Sequence, residues 1–317
     1  MRNIYSNIFK VNSKNLSKAV NSLKKKQLIG VPTETVYGLA GNAYSKEVVK
    51  KIYLLKKRPL NNPLIVHYLN LEKLKNDVEL NKDFYKLYKT FCPGPITFVL
   101  NKKKNSLLPN IATANLKTVA VRIPANKTLR KILKSLNFPL AIPSANKSTK
   151  ISPVSARDVA DEFGSSLKFI LNGGICAIGL ESTVVDLTSR AKILRPGLIN
   201  PSDISKILNK KITIYKKSKA IKAPGMLKRH YSPGIPIKLN QKKAKNNEAF
   251  IVFGKKYKKA KNIFNLSNNS NLKEAARNLY KTLRLIKKKN YKMIRISSIP
   301  QTGIGLAIND RLSRAAK

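Results

Sequence analysis

This chain of 317 residues contains no tryptophan and only two cysteines and two histidines. Cys92 and Cys176 lie far apart and form no C-x-x-C pair, which argues against a disulfide framework or a structural zinc site. His67 and His230 are too few for a histidine-rich metal site. Any chemistry must therefore rely largely on hydroxyl, amide, arginine and lysine side chains.

Long apolar runs are also missing. No stretch reaches the roughly 18 consecutive apolar residues that a membrane-spanning helix requires. The first ten residues, M-R-N-I-Y-S-N-I-F-K, lack the long apolar segment of a secretion signal. A cytoplasmic location without a membrane partner is therefore expected.

Acidic residues are scarce: 15 Asp and Glu stand against 64 Lys and Arg, which gives a formal net charge of +49. Such a charge normally suggests nucleic-acid binding. The excess is mostly lysine, however, and it is spread along the chain together with many Asn and Ile, as an AT-rich genome would produce. Aromatic residues that could stack on bases are sparse. We expect solvated lysines, with weak and salt-sensitive RNA affinity as a side effect.

The pattern of apolar residues predicts a mixed α/β chain with two domains. Hydrophobic residues make up 42% of the sequence, which is enough for real cores. Residues 12–209 are expected to form a mixed, twisted sheet with helices, because strands alternate with helices in some places only. The Lys-, Pro- and Gly-rich residues 210–236 are interpreted as a linker. Residues 237–317 predict a small Rossmann-like α/β domain.

Individual elements follow from the same periodicities. Ser45 is predicted to cap a helix that ends near residue 55. Strands are predicted at 27–31, 63–66, 96–100, 118–122, 140–142, 169–171, 183–187, 193–195, 249–253, 263–266 and 293–296. Further helices are predicted at 15–26, 83–90, 128–136, 155–163, 201–208 and 272–287, with a last helix from residue 306.

Polar side chains crowd the segment that follows the first predicted strand. Residues 32–39 read P-T-E-T-V-Y-G-L, so that Thr33, Glu34, Thr35 and Tyr37 come directly after the strand. Such residues commonly form a turn in which hydroxyls satisfy backbone groups. Four polar side chains between a proline and a glycine favour a loop that faces a ligand.

Two cations close the helix that Ser45 caps. Lys56 and Arg58 stand in K-K-R-P, immediately before a rigid, proline-rich loop. A structural role is open, since cations interact favourably with a helix C-terminus. A guanidinium held in place can equally grip phosphate oxygens through two hydrogen bonds.

Other predicted strand ends also carry polar groups. Arg122 ends the apolar strand V-A-V-R and needs an anionic partner; since acidic residues are scarce, a carboxylate or phosphate ligand gains weight. His67 ends a short apolar strand, where a lone histidine is usually structural. Further polar clusters are P-S-A-N at 143–146 with I-S-P nearby, G-L-E-S-T-V-V-D at 179–186 and I-L-R-P-G at 193–197.

The G-x-S-x-G, Walker A and G-x-G-x-x-G signatures are absent, so no common hydrolase or nucleotide-loop signature applies.

Together these motifs resemble the Sua5/YrdC family, the L-threonylcarbamoyladenylate synthases. The resemblance lies in P-T-E-T-V-Y-G-L-A, K-K-R-P-L-N-N-P-L-I-V-H, C-P-G-P-I-T-F-V-L, T-V-A-V-R-I-P, I-P-S-A-N, N-G-G, G-L-E-S-T-V-V-D and I-L-R-P-G, in this order between residues 32 and 197. The linker A-P-G-M-L-K-R-H-Y-S-P at 223–233 is similar to the connector of the long, two-domain Sua5 form, and the tail is similar to its second domain. The resemblance therefore implies three parts: a YrdC-like catalytic domain over 12–209, a linker or lid over 210–236 and a Sua5-type C-terminal domain over 237–317.

The resemblance implies a reaction and its substrates. L-threonine, bicarbonate or CO2, and ATP would form threonylcarbamoyl-AMP and pyrophosphate. A tRNA threonylcarbamoyltransferase complex would then use the product to make t6A at tRNA position 37. No protein nucleophile is needed for such a displacement, and Mg2+ would arrive with ATP.

The resemblance also implies residue roles. Threonine would be held by Thr35, His67, Arg122 and Ser182, with Arg122 on its carboxylate. ATP would be held by Lys56, Arg58, Asn62, Thr118, Ser144, Asn146, Ser152, Arg195 and Tyr231. Within that set, Lys56 and Arg58 would neutralise charge, and Tyr231 would close over the site as a lid.

Two other functions stay open at this point. A non-catalytic RNA-binding or ribosome-maturation protein would suit the net charge, and it predicts salt-dependent RNA binding without ATP turnover. It leaves the polar clusters at the strand ends without a purpose. The second is carbamoyl transfer in hydrogenase maturation, where a similar domain handles carbamoyl phosphate. That architecture looks like one that requires zinc-finger cysteines, and this chain has only two cysteines.

Overall fold

The chain forms a mixed α/β structure in a computed structural model, which describes residues 5–215, 226, 230–257 and 260–317. In these ranges an 11-stranded sheet and a separate four-stranded sheet are flanked by helices. The predicted fold class is confirmed.

The larger sheet contains both parallel and antiparallel strand pairs. Its strands are β1 (Ile8–Lys10), β2 (Ile29–Val31), β3 (Gly38–Asn42), β4 (Ile65–His67), β5 (Ile96–Asn101), β6 (Thr118–Arg122), β7 (Leu140–Ala141), β8 (Ile170–Asn172), β9 (Thr183–Asp186), β10 (Lys192–Arg195) and β11 (Thr213–Ile214). They are arranged in the order β1-β8-β2-β3-β7-β4-β6-β5-β9-β10-β11. The helices of this part are α1 (Ser13–Lys24), α2 (Lys46–Lys56), α3 (Leu71–Leu74), α4 (Lys82–Phe91), α5 (Lys127–Lys134), α6 (Ala156–Phe163) and α7 (Pro201–Leu208).

Helix α2 shows why the local sequence places its cations at one point. Ser45 accepts a hydrogen bond from the backbone N–H of Val48 at 3.3 Å, as an N-cap should. The helix ends at Lys57, which adopts a left-handed conformation with φ of 49°. Arg58 is thereby turned away from the helix axis and lies buried at the start of the following loop.

The segment at 32–39 is only partly a loop, which corrects the prediction. Gly38 is already the first residue of β3, which pairs antiparallel with β2 and with β7. A Cβ atom on Gly38 would lie 2.1 Å from Cγ2 of Ile142, so only glycine allows this approach. The sequence G-L-A-G-N has no β-branched residue, and its strand conformation comes from its two neighbours rather than from propensity.

The second part of the chain carries a small parallel sheet. Its strands are β12 (Ile237–Lys238), β13 (Glu248–Val252), β14 (Ile263–Asn265) and β15 (Met293–Ile296), in the order β12-β15-β13-β14. All three pairs are parallel, as expected for a Rossmann-like unit. Helices α8 (Leu272–Lys287) and α9 (Gly305–Ala315) complete it.

Helices α8 and α9 pack against the larger part. One buried apolar cluster continues from the larger part into the second part. It includes Leu180, Tyr231, Leu279 and Leu312. Gly179 has a φ of +78°, and a Cβ atom there would lie 2.6 Å from Cα of Arg277 in α8. The backbone just before β9 therefore touches α8 directly.

The domain boundaries at 12–209, 210–236 and 237–317 stay a prediction. Much of the predicted linker, residues 216–225 and 227–229, lies outside the described residues. Among the residues that are described, no helix is long and apolar enough to cross a membrane.

Candidate active site

A cavity lies against one face of the larger sheet. Ile65 and His67 both line it, because alternate residues of a strand point to the same face. Eight of the residues predicted to bind substrates line this cavity: Thr35, Arg58, His67, Arg122, Ser144, Ser182, Arg195 and Tyr231. The fold thus brings together groups that are spread over almost 200 residues of sequence.

Two threonines shape the loop between β2 and β3. Thr33 Oγ1 accepts hydrogen bonds from the backbone N–H groups of Thr35 and Val36 and donates to the Val36 carbonyl at 2.6 Å. Since that proton is used, the Thr35 hydroxyl donates to Thr33 Oγ1 at 2.8 Å. Both threonines also line the cavity, so this segment is a hydroxyl-stabilised turn and a cavity wall at the same time.

Arg122 receives its anionic partner from the protein. Its Nη2 lies 2.5 Å from Oε1 of Glu34, Nη1 donates to Thr35 Oγ1 at 3.0 Å, and Nε donates to the Gly94 carbonyl. Burial alone would raise the pKa of Glu34, but the charge and hydrogen bond of Arg122 bring it below its ordinary value. These bonds use three of the five guanidinium N–H groups, and two are left for a ligand.

His67 is held as a neutral imidazole beside Arg122. Burial, and then the charge of Arg122, hold its pKa well below the ordinary range. Its Nδ1 lies 3.3 Å from the carbonyl oxygen of Ile65. A carbonyl can only accept, so Nδ1 carries the proton in this contact and Nε2 remains an acceptor.

Ser182 and Arg195 are joined across the antiparallel pair β9–β10. Arg195 donates from Nε to the Ser182 carbonyl at 3.1 Å and from Nη2 to Ser182 Oγ at 3.0 Å. Thr97 Oγ1 lies 2.7 Å from the same serine oxygen. The guanidinium and the hydroxyl therefore enter the cavity as one fixed unit.

Arg58 is fixed by the loop that follows α2. Its Nε and Nη2 donate to the carbonyl and the side-chain oxygen of Asn62, and Nη2 also donates to the Pro63 carbonyl. Burial lowers the pKa of Arg58 to about 10, which still leaves it charged at neutral pH. Asn62 does not line the cavity and instead holds the arginine that does.

Lys56 lies beneath the cavity wall. Its Nζ donates to the carbonyl oxygens of Ser144 and Asn146, and the side chain is fully enclosed. Burial, and then the charge of Arg58, lower its pKa well below the ordinary value. Asn146 in turn donates to the carbonyls of Lys147 and Lys150 at 2.8 and 2.9 Å. In this arrangement Lys56 and Asn146 shape the loop that presents Ser144.

Ser152 and Thr118 are also set back from the cavity. Ser152 donates from its hydroxyl to Oε1 of Glu181 at 2.6 Å. Thr118 begins β6, so it lies roughly 13 Å from Arg122 along that strand, although both residues point to the same face. The binding roles implied for these residues stay predictions.

Glu181 is the main cavity residue that the sequence reasoning did not single out. It receives hydrogen bonds from Ser152, from the Tyr280 hydroxyl at 3.0 Å and from Arg311 Nε at 2.8 Å. Burial alone would raise its pKa, but Arg311 and then Arg195 lower it to about 2. The available signal was an acidic residue directly before Ser182 in G-L-E-S-T-V-V-D. Tyr280 and Arg311 lie 99 and 130 residues further along the chain, so the motif could not identify them.

Tyr231 closes one side of the cavity. It is 1% exposed, adopts a φ of 64°, and stacks on Tyr280 with 5.8 Å between ring centroids. The backbone N–H of Ser232 donates to the Thr149 carbonyl at 2.9 Å, which attaches this segment to the larger part. Among the described residues, the buried Tyr231 hydroxyl has no hydrogen-bond partner.

Met226 also lies over the sheet. It packs on a small apolar cluster on one sheet face, formed by Ile65, Val99, Ala120, Val184 and Leu194. Ile65 lines the cavity as well, so Met226 and Tyr231 cover adjoining areas. The role of residues 210–236 as a lid stays a prediction.

Comparisons with known proteins agree over nearly the whole chain. A family model for Sua5, YciO and YrdC proteins, described as telomere recombination, matches residues 21–197. A second model, described as the C-terminal domain of threonylcarbamoyl-AMP synthase, matches residues 199–317. Threonylcarbamoyl-AMP synthase of Pyrococcus abyssi is 36% identical over 94% of this chain and 93% of its own length. The Bacillus subtilis protein of the same name is 33% identical over 96% and 94%.

Solved structures give the same result at the level of the fold. P. abyssi Sua5, in a complex with L-threonine, superposes with a TM-score of 0.90 at 34% identity and covers 98% of this chain and 97% of that chain. HypF, in a phosphate- and nucleotide-bound form, reaches a TM-score of 0.50 at 20% identity over 57% of this chain and 28% of that one. The second likeness indicates a shared fold alone.

Proposed function

The chain belongs to the Sua5/YrdC family in its long form, and we propose that it acts as a threonylcarbamoyl-AMP synthase. It joins L-threonine, bicarbonate or CO2, and ATP, releases pyrophosphate, and supplies t6A modification at tRNA position 37. One observation carries this proposal most directly. A single cavity unites Arg122, Arg58 and Arg195, three fixed guanidinium groups that suit one carboxylate and a polyphosphate.

Threonine is proposed to bind beside Arg122. The two free N–H groups of Arg122 would hold its carboxylate, and the neighbouring Glu34 keeps the guanidinium in place. Nε2 of His67 is available to accept a hydrogen bond from the substrate hydroxyl. Thr35 and Ser182 complete this end of the cavity.

ATP is proposed to bind on the Arg58 and Arg195 side. Ser144 lines the same area, and Tyr231 would close over the nucleotide. Four further residues would hold these groups in place without contacting ATP themselves: Asn62, Lys56, Asn146 and Ser152. Thr118 would meet the part of the nucleotide that extends along β6.

The chemistry asks the protein to align substrates and to offset charge. The amino group of threonine adds to CO2 and loses a proton, which gives a carbamate. A carbamate oxygen then bonds to the α-phosphorus of ATP, while the bond from that phosphorus to the β-phosphate oxygen breaks and pyrophosphate leaves. The substrate itself is the nucleophile, so fixed cations such as Arg58 and Arg195 provide the main stabilisation.

Mg2+ is proposed to enter with ATP. No group of three His, Cys, Asp or Glu side chains that could hold a metal occurs among the described residues. Both oxygens of Glu181 already accept hydrogen bonds from the protein. The surroundings therefore fit an ion held by phosphate oxygens rather than by a carboxylate cage.

We also propose a domain organisation and a cellular role for the chain. Residues 12–209 form the catalytic domain, 210–236 the linker and lid, and 237–317 the Sua5-type domain. The product passes to a tRNA threonylcarbamoyltransferase complex in the cytoplasm. RNA binding by the chain itself is weak and reflects its general charge.

The test is an incubation with MgATP, labelled bicarbonate and L-threonine that follows pyrophosphate and the labelled adenylate. We expect pyrophosphate release that requires threonine, together with label in threonylcarbamoyl-AMP. Reactions with D-threonine or without bicarbonate are the matched controls. Absence of threonine-dependent pyrophosphate would refute the proposed function.

A further inference from the structure

Arg311, in α9 of the second part, is one of the largest fully buried side chains of the described protein. Its Nε donates to Glu181 Oε2 at 2.8 Å, and its Nη2 donates to the Pro196 carbonyl at 3.0 Å. Nη1 donates to Asp310 at 2.6 Å. The guanidinium carbon also lies 5.2 Å from the centre of the Tyr231 ring. Burial of a guanidinium at this depth requires an opposite charge and hydrogen-bond acceptors that offset its lost hydration.

These contacts lead to the cavity along three separate routes. Glu181 immediately precedes Ser182, and Pro196 immediately follows Arg195. Tyr231 itself lines the cavity. One side chain of the second part is thus bonded to a cavity residue, to the neighbour of another, and to the ring that covers the site.

We propose that Arg311 is a positioning residue, through which the second domain fixes Ser182, Arg195 and Tyr231 for the reaction. This inference rests on the proposed synthase function. Arg311 does not line the cavity, and it acts only through the residues that do. It gives the second domain a defined part in the chemistry.

The contacts at position 311 depend on the planar shape of the guanidinium group and on the fixed directions of its N–H bonds. Nε and Nη2 diverge toward Glu181 on one chain segment and Pro196 on another, while the flat face meets an aromatic ring. Lysine would keep the charge but could not reproduce the two directed bonds and the stacking together. Displacement of a substrate-positioning group by about 1 Å can cost about 100-fold in rate.

The expected defect concerns the nucleotide more than the amino acid. Two of the three routes, through Pro196 and Tyr231, reach residues proposed for ATP. Arg311→Lys should therefore lower kcat/KM for ATP by about 100-fold, with a larger rise in the KM for ATP than in the KM for threonine. A purely structural role would lower the amount of folded enzyme and leave both KM values unchanged.

Arg295→Lys is the matched control in the full chain. Arg295 belongs to the same domain and forms a largely buried pair with Glu248, but it lies in β15 and outside the cavity. Both variants are compared by circular dichroism and thermal melting, and kinetics are measured at a temperature where all chains are folded. Arg295→Lys should keep the wild-type KM values.

A double variant tests the route through the aromatic ring. If Arg311 acts partly by holding Tyr231, then Arg311→Lys and Tyr231→Ala should not multiply in their effects on the KM for ATP. Fully multiplicative effects, or wild-type kinetics in folded Arg311→Lys, would overturn the proposal.

Tyr280→Phe keeps the proposal testable if Arg311→Lys does not fold. It removes one hydrogen bond to Glu181 and leaves no unpaired charge. Because Glu181 immediately precedes Ser182, a several-fold rise in the KM for threonine is expected. An unchanged KM for threonine would count against the positioning role. If the wild-type chain made no adenylate, the proposed function would fail by itself, and titration of nucleotide binding to the same variants would still decide the role of Arg311.

Discussion

At the scale of single residues, the site is made of charges that are almost all paired inside the protein. Arg122 has Glu34, Arg311 has Glu181, and Arg58 is surrounded by carbonyl oxygens. With only 15 acidic residues in the chain, the use of two of them here is itself informative. The sequence favoured an anionic ligand as the partner of Arg122. In the structure Arg122 instead pairs with Glu34, and two of its N–H groups form none of the hydrogen bonds described above.

Arg122→Lys is expected to weaken threonine binding. The ion pair with Glu34 is kept, but the N–H groups proposed for the substrate carboxylate are lost. A charged hydrogen bond contributes about 1.5–3 kcal/mol, so the KM for threonine should rise by about 10- to 100-fold. Steady-state kinetics with varied threonine measure this effect. Arg157→Ala, on the exposed side of α6, is the control, and an unchanged threonine dependence in Arg122→Lys would refute the role.

Glu181 predicts a pH dependence of stability. Its pKa in the folded chain is about 2, below the ordinary value of 4.5. A depressed pKa means that the stabilisation is fully present above about pH 4.5 and is lost as the pH falls toward 2. Glu181→Gln should therefore be less stable than the wild type at pH 6, with the difference shrinking between pH 4.5 and 3.

Urea unfolding at several pH values measures this difference. Glu72→Gln, at an exposed helix end, should follow the wild type throughout. A gap between Glu181→Gln and the wild type that stays constant down to pH 3 would contradict the assignment.

At the scale of elements, periodicity predicted most helices and strands but not the glycine-rich one. The bounds of α7, α8, β6 and β15 agree with the prediction because each has a clear apolar repeat. Strand β3 was missed, since G-L-A-G-N carries no strand propensity and is fixed only by pairing on both sides. The two-residue strands β11 and β12 are too short for any periodicity to identify.

Lys56 is expected to stabilise the loop after β7 that carries Ser144 and Asn146. Its ammonium joins the end of α2 to the carbonyls of Ser144 and Asn146. Lys56→Met would leave the Asn146 carbonyl unpaired, while the Ser144 carbonyl would keep its bond from the Asn146 backbone N–H. It should lower stability by about 1–3 kcal/mol. Thermal and urea unfolding measure this loss, with Lys57→Met as the exposed neighbouring control. Wild-type stability with a rate defect would instead favour a direct role at the phosphates.

At the scale of the whole molecule, the net charge of +49 is a weak guide to function. The charges that matter are the few buried ones, and they lie in one cavity and at its border with the second part. Within the described part of the chain, most other cations are lysines in contact with solvent. The C-terminal part contributes through α8 and α9, which pack on the backbone next to β9.

RNA binding by the whole chain should be weak and should fall steeply with salt. Counterion release makes the logarithm of the affinity decrease linearly with the logarithm of salt concentration. We expect filter-binding or anisotropy measurements to show loss of binding between about 50 and 200 mM salt by at least 10³-fold. Adenylate formation without RNA should persist at 200 mM salt. Tight, salt-dependent RNA binding without any ATP turnover would favour the non-catalytic alternative.

The sequence by itself determined the family, the mixed α/β class and the residue types of the site, because those depend on local periodicity and on short motifs. Eight of the proposed binding residues line one cavity, while their binding roles stay predictions. Only the tertiary structure decided which of them face that cavity and which support it from behind. It alone joined Glu181 to Arg311, since a contact across 130 residues depends on how α9 packs and leaves no local pattern in the chain.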